Sequence, residues 1–374
     1  MKINCFILLS FIAHLSLLIN SLPRNLPKKP HIELSDLELG PANVNLMHIK
    51  VGEPPQIVNL KLSTSFCGIY ILNKKYFNKG MSLDDSHSAR TINIDAKLND
   101  YSGVLVQDLI EIPSFPPIQF SFLLINKSPK EFKTYDGAIG FGTNCNSKYN
   151  IEKSQYSVDL LPLLTTGQKQ IFSIYMESKS DIAIFNMGGL PDEYLQLKSK
   201  YLYKRFPISI NYKTNSWELK LHSIYTSDGG LFNVNENIAI GSTGAMIAVN
   251  QQFFSFLIWK YFLNSDADLS FNSNCFQSST TINEIYCNDQ FDISKIGELS
   301  FVIGKITIKI PPEKLFYQVN RSGYKQNWFS VVYYPGVDKW YISQKLLGDA
   351  TVVYDNENKE IGIIYNKFIN QIGN

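Results

Sequence analysis

The chain has 374 residues, of which 44% are hydrophobic and 18% charged, and its formal net charge is +2. This composition excludes a disordered chain, and the near-neutral balance gives no electrostatic reason to expect nucleic acid or an acidic membrane surface as a partner. The 24 Phe and 21 Tyr residues favour β-strands, in which aromatic side chains are enriched.

The first 21 residues have the form of a secretory signal peptide. One lysine precedes an apolar run from Cys5 to Ile19, and the small residue Ser21 follows. A membrane anchor is the alternative, but the run is interrupted by His14 and is short for a span, which needs about 20 apolar residues. We therefore predict a secreted protein that has no membrane segment once the signal is removed.

Short strand-like runs dominate the rest of the chain. They are apolar or alternating, and most end at Gly, Pro, Asn or Asp. The clearest are residues 45–52, 57–62, 68–72, 90–98, 103–112, 118–126, 298–304 and 306–311. Helical patterns are few and short, the best being residues 158–164 and 250–263. The sequence therefore predicts an all-β protein with few short helices.

An internal repeat divides the chain into two similar halves. In each half a strand runs into a polar hinge, Ser-Thr-Ser at residues 63–65 and Ser-Thr-Gly at residues 242–244. Each hinge is followed later by an apolar pair that ends in glycine, at residues 138–140 and 346–348. Glycine at such a point allows close approach of a second backbone. The repeat predicts duplicated β lobes, preceded by the signal peptide and a short N-terminal segment. The predicted bounds are 1–21, 22–40, 41–205 and 206–374.

Four cysteines remain when Cys5 is removed with the signal peptide. Cys67, Cys145, Cys275 and Cys287 allow three disulfide connectivities. Cys275 and Cys287 are close in sequence and are the most natural pair, which leaves Cys67 to pair with Cys145. No histidines accompany these cysteines at zinc-ligand spacing, so we expect no metal site.

Two N-glycosylation sequons are present, Asn126-Lys-Ser and Asn320-Arg-Ser. A secreted protein would expose them to the glycosylation machinery, so both asparagines are candidate glycan sites. Trp217, Trp328 and Trp340 are predicted to be core residues rather than ligand contacts, because buried positions are the more common place for tryptophan.

Seven segments, in the same order, resemble the pepsin-like aspartic proteases over nearly all of the mature chain. They are residues 49–72, 135–142, 172–195, 216–225, 239–254, 286–317 and 345–365. The resemblance implies a bilobal β fold with a central cleft, and one catalytic aspartate from each lobe at the cleft floor. The two carboxylates share a proton, because like charges about 3 Å apart cannot both ionise. One then activates a water molecule while the other donates a proton to the scissile carbonyl.

Serine replaces both aspartates in this chain. Carried over position by position, the two catalytic positions are Ser63 and Ser242. The neighbouring motif positions are Thr64, Ser65, Thr243 and Gly244. A serine hydroxyl has no acidity useful near neutral pH, so it can neither act as the base nor hold the shared proton. The resemblance therefore implies a degenerate catalytic pair with no catalytic residue.

Two further departures agree with the loss of catalysis. The tyrosine of the family's flap aligns with Ala96, and Tyr101 lies beyond the hairpin tip. The family's basic pro-segment has no room between the signal and the first strand, which we expect to begin by about residue 40. A protein without catalytic carboxylates has no activity to mask.

The preferred interpretation is a secreted, inactive homologue that binds a peptide or protein in or around the cleft, as a monomer and without a cofactor. One alternative is an aspartic-type endopeptidase with residual activity, to which Asp95 or Asp100 would contribute a carboxylate. Another is an inhibitor or decoy that uses its outer loops. A serine hydrolase is disfavoured, because the hinge sequence lacks the Gly-x-Ser-x-Gly elbow.

Overall fold

The computed structural model describes most of the predicted lobes. The described residues are 31–37, 44–72, 90–98, 101–125, 135–145, 159–176, 182–189, 203–207, 215–242, 246–264, 271–279, 283–321, 324–335, 339–348 and 350–365. The predicted signal peptide, Asn126, Thr243 and Gly244 lie outside them. No helix in the described residues is long and apolar enough to cross a membrane.

The first half of the chain forms eleven of the described strands and one short helix. The strands are β1 (His31–Leu37), β2 (Val44–Val51), β3 (Gln56–Ser63), β4 (Cys67–Leu72), β5 (Arg90–Leu98), β6 (Tyr101–Glu111), β7 (Ile118–Ile125), β8 (Gly137–Phe141), β9 (Ile171–Met176), β10 (Ile182–Met187) and β11 (Tyr203–Pro207). Helix α1 spans Leu161–Leu164, with Pro162 in its first turn, where proline is tolerated.

The second half adds thirteen described strands and helix α2. The strands are β12 (Glu218–Thr226), β13 (Leu231–Gly241), β14 (Ile247–Ala248), β15 (Cys275–Ser279), β16 (Asn283–Cys287), β17 (Leu299–Ile303), β18 (Ile306–Ile310), β19 (Phe316–Arg321), β20 (Tyr324–Phe329), β21 (Val331–Val332), β22 (Trp340–Ser343), β23 (Ala350–Asp355) and β24 (Glu360–Tyr365). Helix α2 (Gln251–Leu257) is capped by the side chain of Asn250 and continues as a π-helical turn, Ile258–Phe262. The prediction of a mostly β protein is confirmed.

A 13-stranded sheet joins the two ends of the chain. Its order is β11-β24-β23-β9-β10-β1-β2-β3-β8-β4-β7-β6-β5. Strand β1 pairs antiparallel with both β10 and β2. The first described strand thus begins at His31, so part of the segment predicted at residues 22–40 already lies within this sheet. Alternation of Ile32 and Leu34 with polar residues fits a strand with two different faces.

The remaining described strands form a seven-stranded sheet, β18-β17-β12-β13-β22-β14-β21, and a four-stranded sheet, β15-β16-β20-β19. Both sheets use only residues from 218 to 343. The C-terminal strand β23 instead pairs with β9 of the first half, and β24 pairs with β23. The predicted boundary at residues 205 and 206 falls inside β11, which pairs with β24.

Both predicted disulfides are present, Cys67–Cys145 and Cys275–Cys287. The three tryptophans predicted as core residues are buried: Trp217 is 0% exposed, Trp340 2% and Trp328 5%. The core prediction for these side chains is therefore confirmed. Asn320 lies near the end of the edge strand β19, and its glycosylation stays a prediction.

A charged cluster ties the β12–β13 turn to the helical segment. The Lys260 ammonium contacts the Asp228 carboxylate at 2.5 Å, and the Thr226 hydroxyl donates to the same carboxylate at 2.5 Å. The hydrogen bond from Lys260 is the main reason why the pKa of Asp228 falls to about 2, and the bond from Thr226 adds to it. Because the Asp228 side chain is 56% exposed, we expect a modest contribution to stability.

We expect Asp228→Asn to lower the urea unfolding midpoint at pH 7 and to lose this effect in acid. The folded-state pKa lies below the unfolded value of about 3.9, so the ionised form contributes stability above that value. The contribution fades as the pH falls toward about 2. Asp289→Asn, at an exposed turn position, is the control. A gap between wild type and Asp228→Asn that did not change with pH would refute the assignment.

Candidate functional site

The two polar hinges follow equivalent strands of the two halves. Strand β3 ends at Ser63, and β13 ends at Gly241, immediately before Ser242. Each strand has a parallel neighbour on one side: β3 pairs with β8, and β13 pairs with β22. The two serines therefore emerge from the same local arrangement, although they are far apart in sequence.

The glycine of the second repeat unit was wrongly placed by the sequence. In the first half, Leu62 pairs with Ile139 and Ser63 with Gly140. In the second half, Ile240 pairs with Ile342 and Gly241 with Ser343. The residues that lie beside the end of β13 thus belong to β22 (Trp340–Ser343) and not to the predicted segment 346–348. Residues 346–348 instead lie at the end of a 3₁₀ helix (Gln344–Leu347) and its C-cap.

Hydroxyl groups connect the two hinges directly. The Ser242 hydroxyl donates to the backbone carbonyl of Leu62 at 3.2 Å, and the Thr64 hydroxyl donates to the carbonyl of Ile240 at 3.4 Å. The Asn45 side chain donates to the carbonyl of Ser242 at 2.6 Å. Ser242 and Thr64 are each 2% exposed. The hydroxyl at the second catalytic position, Ser242, is therefore engaged in a hydrogen bond that connects the two halves.

In the first hinge, the Ser63 hydroxyl is hydrogen-bonded to a residue of the same hinge. The Ser63 hydroxyl lies 2.9 Å from the Ser65 hydroxyl and accepts a hydrogen bond from the Ser65 backbone N–H at 3.2 Å. Ser63 is 6% exposed, whereas Ser65 is exposed. Of the described hinge hydroxyls, that of Ser65 is the one available to a ligand.

Two glycines allow aromatic side chains to pack against the hinges. A Cβ atom on Gly140 would lie 2.4 Å from the Phe66 carbonyl oxygen and 2.5 Å from its ring. A Cβ atom on Gly241 would lie 2.2 Å from the Tyr341 ring. Since real Cβ contacts are much longer, any other residue at either position would displace its neighbour. The Gly241–Tyr341 contact was not predicted from the sequence, and the glycine directly before Ser242 was its one signal.

The described surroundings of the hinges supply no acid or base to the serines. The Asp136 carboxylate accepts from the Asn59 backbone N–H at 2.9 Å, so it braces β3. The Tyr354 hydroxyl is fully buried beside Thr64 and Tyr341, and burial strongly raises the pKa of this phenol. Tyr354 therefore stays neutral. In the described parts of the chain, neither Ser63 nor Ser242 is hydrogen-bonded to a carboxylate or a histidine.

The hairpin aligned with the family's flap is formed by β5 and β6. Ala96 pairs with Gly103, and Leu98 pairs with Tyr101 on the far side of the tip. Tyr101 is thus the first residue of the returning strand, as expected. The alignment of Ala96 with the flap tyrosine stays a prediction. No group of three or more potential metal ligands occurs in the described residues.

A comparison with protein families finds one model that covers most of the chain. The model for eukaryotic aspartyl proteases matches residues 46–365. The chain belongs to this family. A comparison with curated proteins gave no match. Membership in the aspartyl protease family explains the paired hinges and the sheet that joins the two ends of the chain, and the predicted family is confirmed.

Proposed function

We propose that this protein is a secreted, catalytically silent aspartyl protease homologue that binds an extended peptide or protein segment in the cleft between its lobes. One observation carries the loss of catalysis. The Ser242 hydroxyl donates its proton to the Leu62 carbonyl, a bond that an ionised carboxylate could not make. The second catalytic position thus serves as a structural contact.

The chemistry of the family requires a proton shared between two carboxylates. Neither Ser63 nor Ser242 can take a proton from water near neutral pH. Serine catalysis would need a general base within hydrogen-bond distance, but the described partners of Ser63 are the hydroxyl and N–H of Ser65. The site therefore supports neither acid-type nor serine-type hydrolysis.

The remaining frame supports the binding part of the proposal. The family match runs through both hinges and through the β5–β6 hairpin, so the elements that hold a peptide are kept while the reacting groups are lost. The exposed Ser65 hydroxyl offers a neutral donor and acceptor at the hinge. Because no carboxylate pair has to share a proton, peptide affinity should be independent of pH between acid and neutral conditions.

Secretion is supported by the two disulfides, which form and persist in oxidising compartments, and by the signal-like N-terminal sequence. The ligand would then be a peptide or an exposed protein segment outside the cytoplasm. A cofactor, a metal ion or nucleic acid has no part in this proposal.

We expect no hydrolysis of a denatured protein substrate at acid or neutral pH, in an assay where an active family member cleaves it. The same preparation should retain members of a random extended-peptide library. Ser65→Trp should abolish retention by filling the cleft floor, whereas Ile57→Trp, at a 62% exposed position of β3, the strand that precedes the hinge, should not.

Two outcomes would redirect the proposal. Acid-dependent cleavage that is blocked by a hydroxyl-bearing transition-state analogue would establish an active endopeptidase. Protein binding that persists in Ser65→Trp and is lost after charge changes on the outer loops would establish an inhibitor or decoy instead.

A further inference from the structure

The four-stranded sheet has two edges of different chemical character. The outer strands are β15 and β19. Strand β19 carries Arg321 and the sequon residue Asn320; a charge discourages pairing at an edge, and so would the glycan predicted at Asn320. Strand β15, with the sequence Cys-Phe-Gln-Ser-Ser, has no charged residue and no proline. Charged side chains and proline are the usual features by which natural edge strands avoid pairing with other chains, and β15 lacks both.

An aromatic ladder crosses the sheet and ends at this edge. The rings of Trp328 and Tyr286 stack with centroids 5.0 Å apart, and those of Tyr286 and Phe276 with centroids 5.3 Å apart. Their planes differ by only 25° and 23°. Trp328 is 5% exposed, whereas Phe276 at the end of the ladder is 48% exposed. One ring face of the ladder is thus left without a partner among the described residues.

The backbone of β15 presents hydrogen-bonding groups on the same side. Cys275 and Cys287 face each other with a Cα–Cα distance of 4.0 Å, which is typical of a non-hydrogen-bonded antiparallel pair. Hydrogen-bonded and non-hydrogen-bonded pairs alternate, so Gln277 and Ile285 form another non-hydrogen-bonded pair. The N–H and C=O of Gln277 therefore point away from β16, toward the open edge.

We propose that β15 is a dimerisation edge, on which a second copy of this chain adds its own β15 antiparallel about a two-fold axis at Gln277. The N–H and C=O of Gln277 exchange hydrogen bonds with Gln277 of the partner subunit. Phe276 lies opposite Ser278 of the partner subunit and diagonally from the partner's Phe276, within reach of an aromatic ring.

The difference between the two edges favours a closed dimer. Pairing of β15 with β19 of another copy would be heterologous and could continue into a filament, but the charge of Arg321 opposes it, as would the glycan predicted at Asn320. Self-pairing of β15 closes after two copies. A five-residue strand buries far less than the roughly 1,200–2,000 Å² of a stable interface, so the dimer should be weak. The proposed dimer differs from the sequence-based expectation of a monomer, and it does not depend on the proposed function.

Sedimentation velocity of the full chain over a wide concentration series tests the proposal. Wild type should shift from monomer to dimer as concentration rises. Phe276→Lys should raise the dimer Kd at least about tenfold, about 1.4 kcal/mol, because two ammonium groups would meet near the axis. Gln277→Pro should do the same by removing the central N–H donor, at a position where an edge strand accepts proline.

Leu231→Lys is the matched control. Leu231 is 53% exposed and pairs with Tyr225 of β12 in the seven-stranded sheet, away from the β15 edge, so this variant should dimerise like wild type. A wild-type chain that stays monomeric at every concentration would overturn the proposal. So would variants at Phe276 and Gln277 that dimerise like wild type, or an equal loss of dimer in Leu231→Lys.

Discussion

Ser242→Asp should destabilise the protein by about 3–5 kcal/mol at neutral pH, the usual cost of an uncompensated buried charge. Ser242 is 2% exposed, and its hydroxyl faces the Leu62 carbonyl oxygen. An ionised carboxylate would place negative charge against that oxygen, with no proton to donate. Urea unfolding at several pH values measures the loss.

The pH dependence of the stability distinguishes the effect of the aspartate charge from the effect of its shape. Burial and the facing carbonyl would raise the pKa of the new carboxyl above the unfolded value of about 3.9. Below that value the carboxyl is protonated in both states and can donate to Leu62, so the penalty from ionisation is absent. The penalty grows as the pH rises above about 3.9 and levels off above the folded-state pKa.

Ser242→Asn is the matched control, because its side chain has nearly the same shape as aspartate but does not titrate. We expect a smaller loss of stability in Ser242→Asn, independent of pH. If Ser242→Asp and wild type unfolded with equal free energies at neutral pH, the hinge would accommodate a carboxylate, and the inference that this position is purely structural would fail.

Local pattern was sufficient to predict many of the strands. Residues 90–98 alternate regularly and form β5 with the same bounds. Strand β1 was missed because its seven residues become a strand through pairing with β10 and β2. One of those partners, β10 (Ile182–Met187), comes from a distant part of the sequence, and the local pattern of a short segment does not reveal such a pairing.

The sequence motif located the site, but it did not show which hydrogen bonds the two serines make. The replacement of both aspartates identifies Ser63 and Ser242 as the positions of interest. That the Ser242 hydroxyl crosses to Leu62 depends on the approach of two loops 180 residues apart. The second glycine motif was misplaced because the apolar pattern at residues 346–348 is a common one, whereas the residues of β22 that lie beside β13 include no glycine.

Trp217 connects the two halves beneath the hinges. Its indole N–H donates to the Phe141 carbonyl at 2.9 Å, and Phe141 ends β8 of the first half. The indole ring packs edge-on against Phe172 and Tyr354, with centroids 5.9 and 5.3 Å away. Tyr354 in turn lies beside Thr64, so this aromatic group packs directly beneath the first hinge.

Trp217→Ala should lower the free energy of unfolding by about 3–5 kcal/mol, because it leaves a cavity and removes the donor to a buried carbonyl. Trp217→Phe keeps a ring and loses the donor, so we expect a loss of about 1–3 kcal/mol. Urea denaturation followed by circular dichroism measures both. Trp259→Ala, at a 54% exposed position, should stay within about 0.5 kcal/mol of wild type. Were the alanine variants at 217 and 259 to behave alike, the contact between Trp217 and Phe141 could not be what holds the hinge floor together.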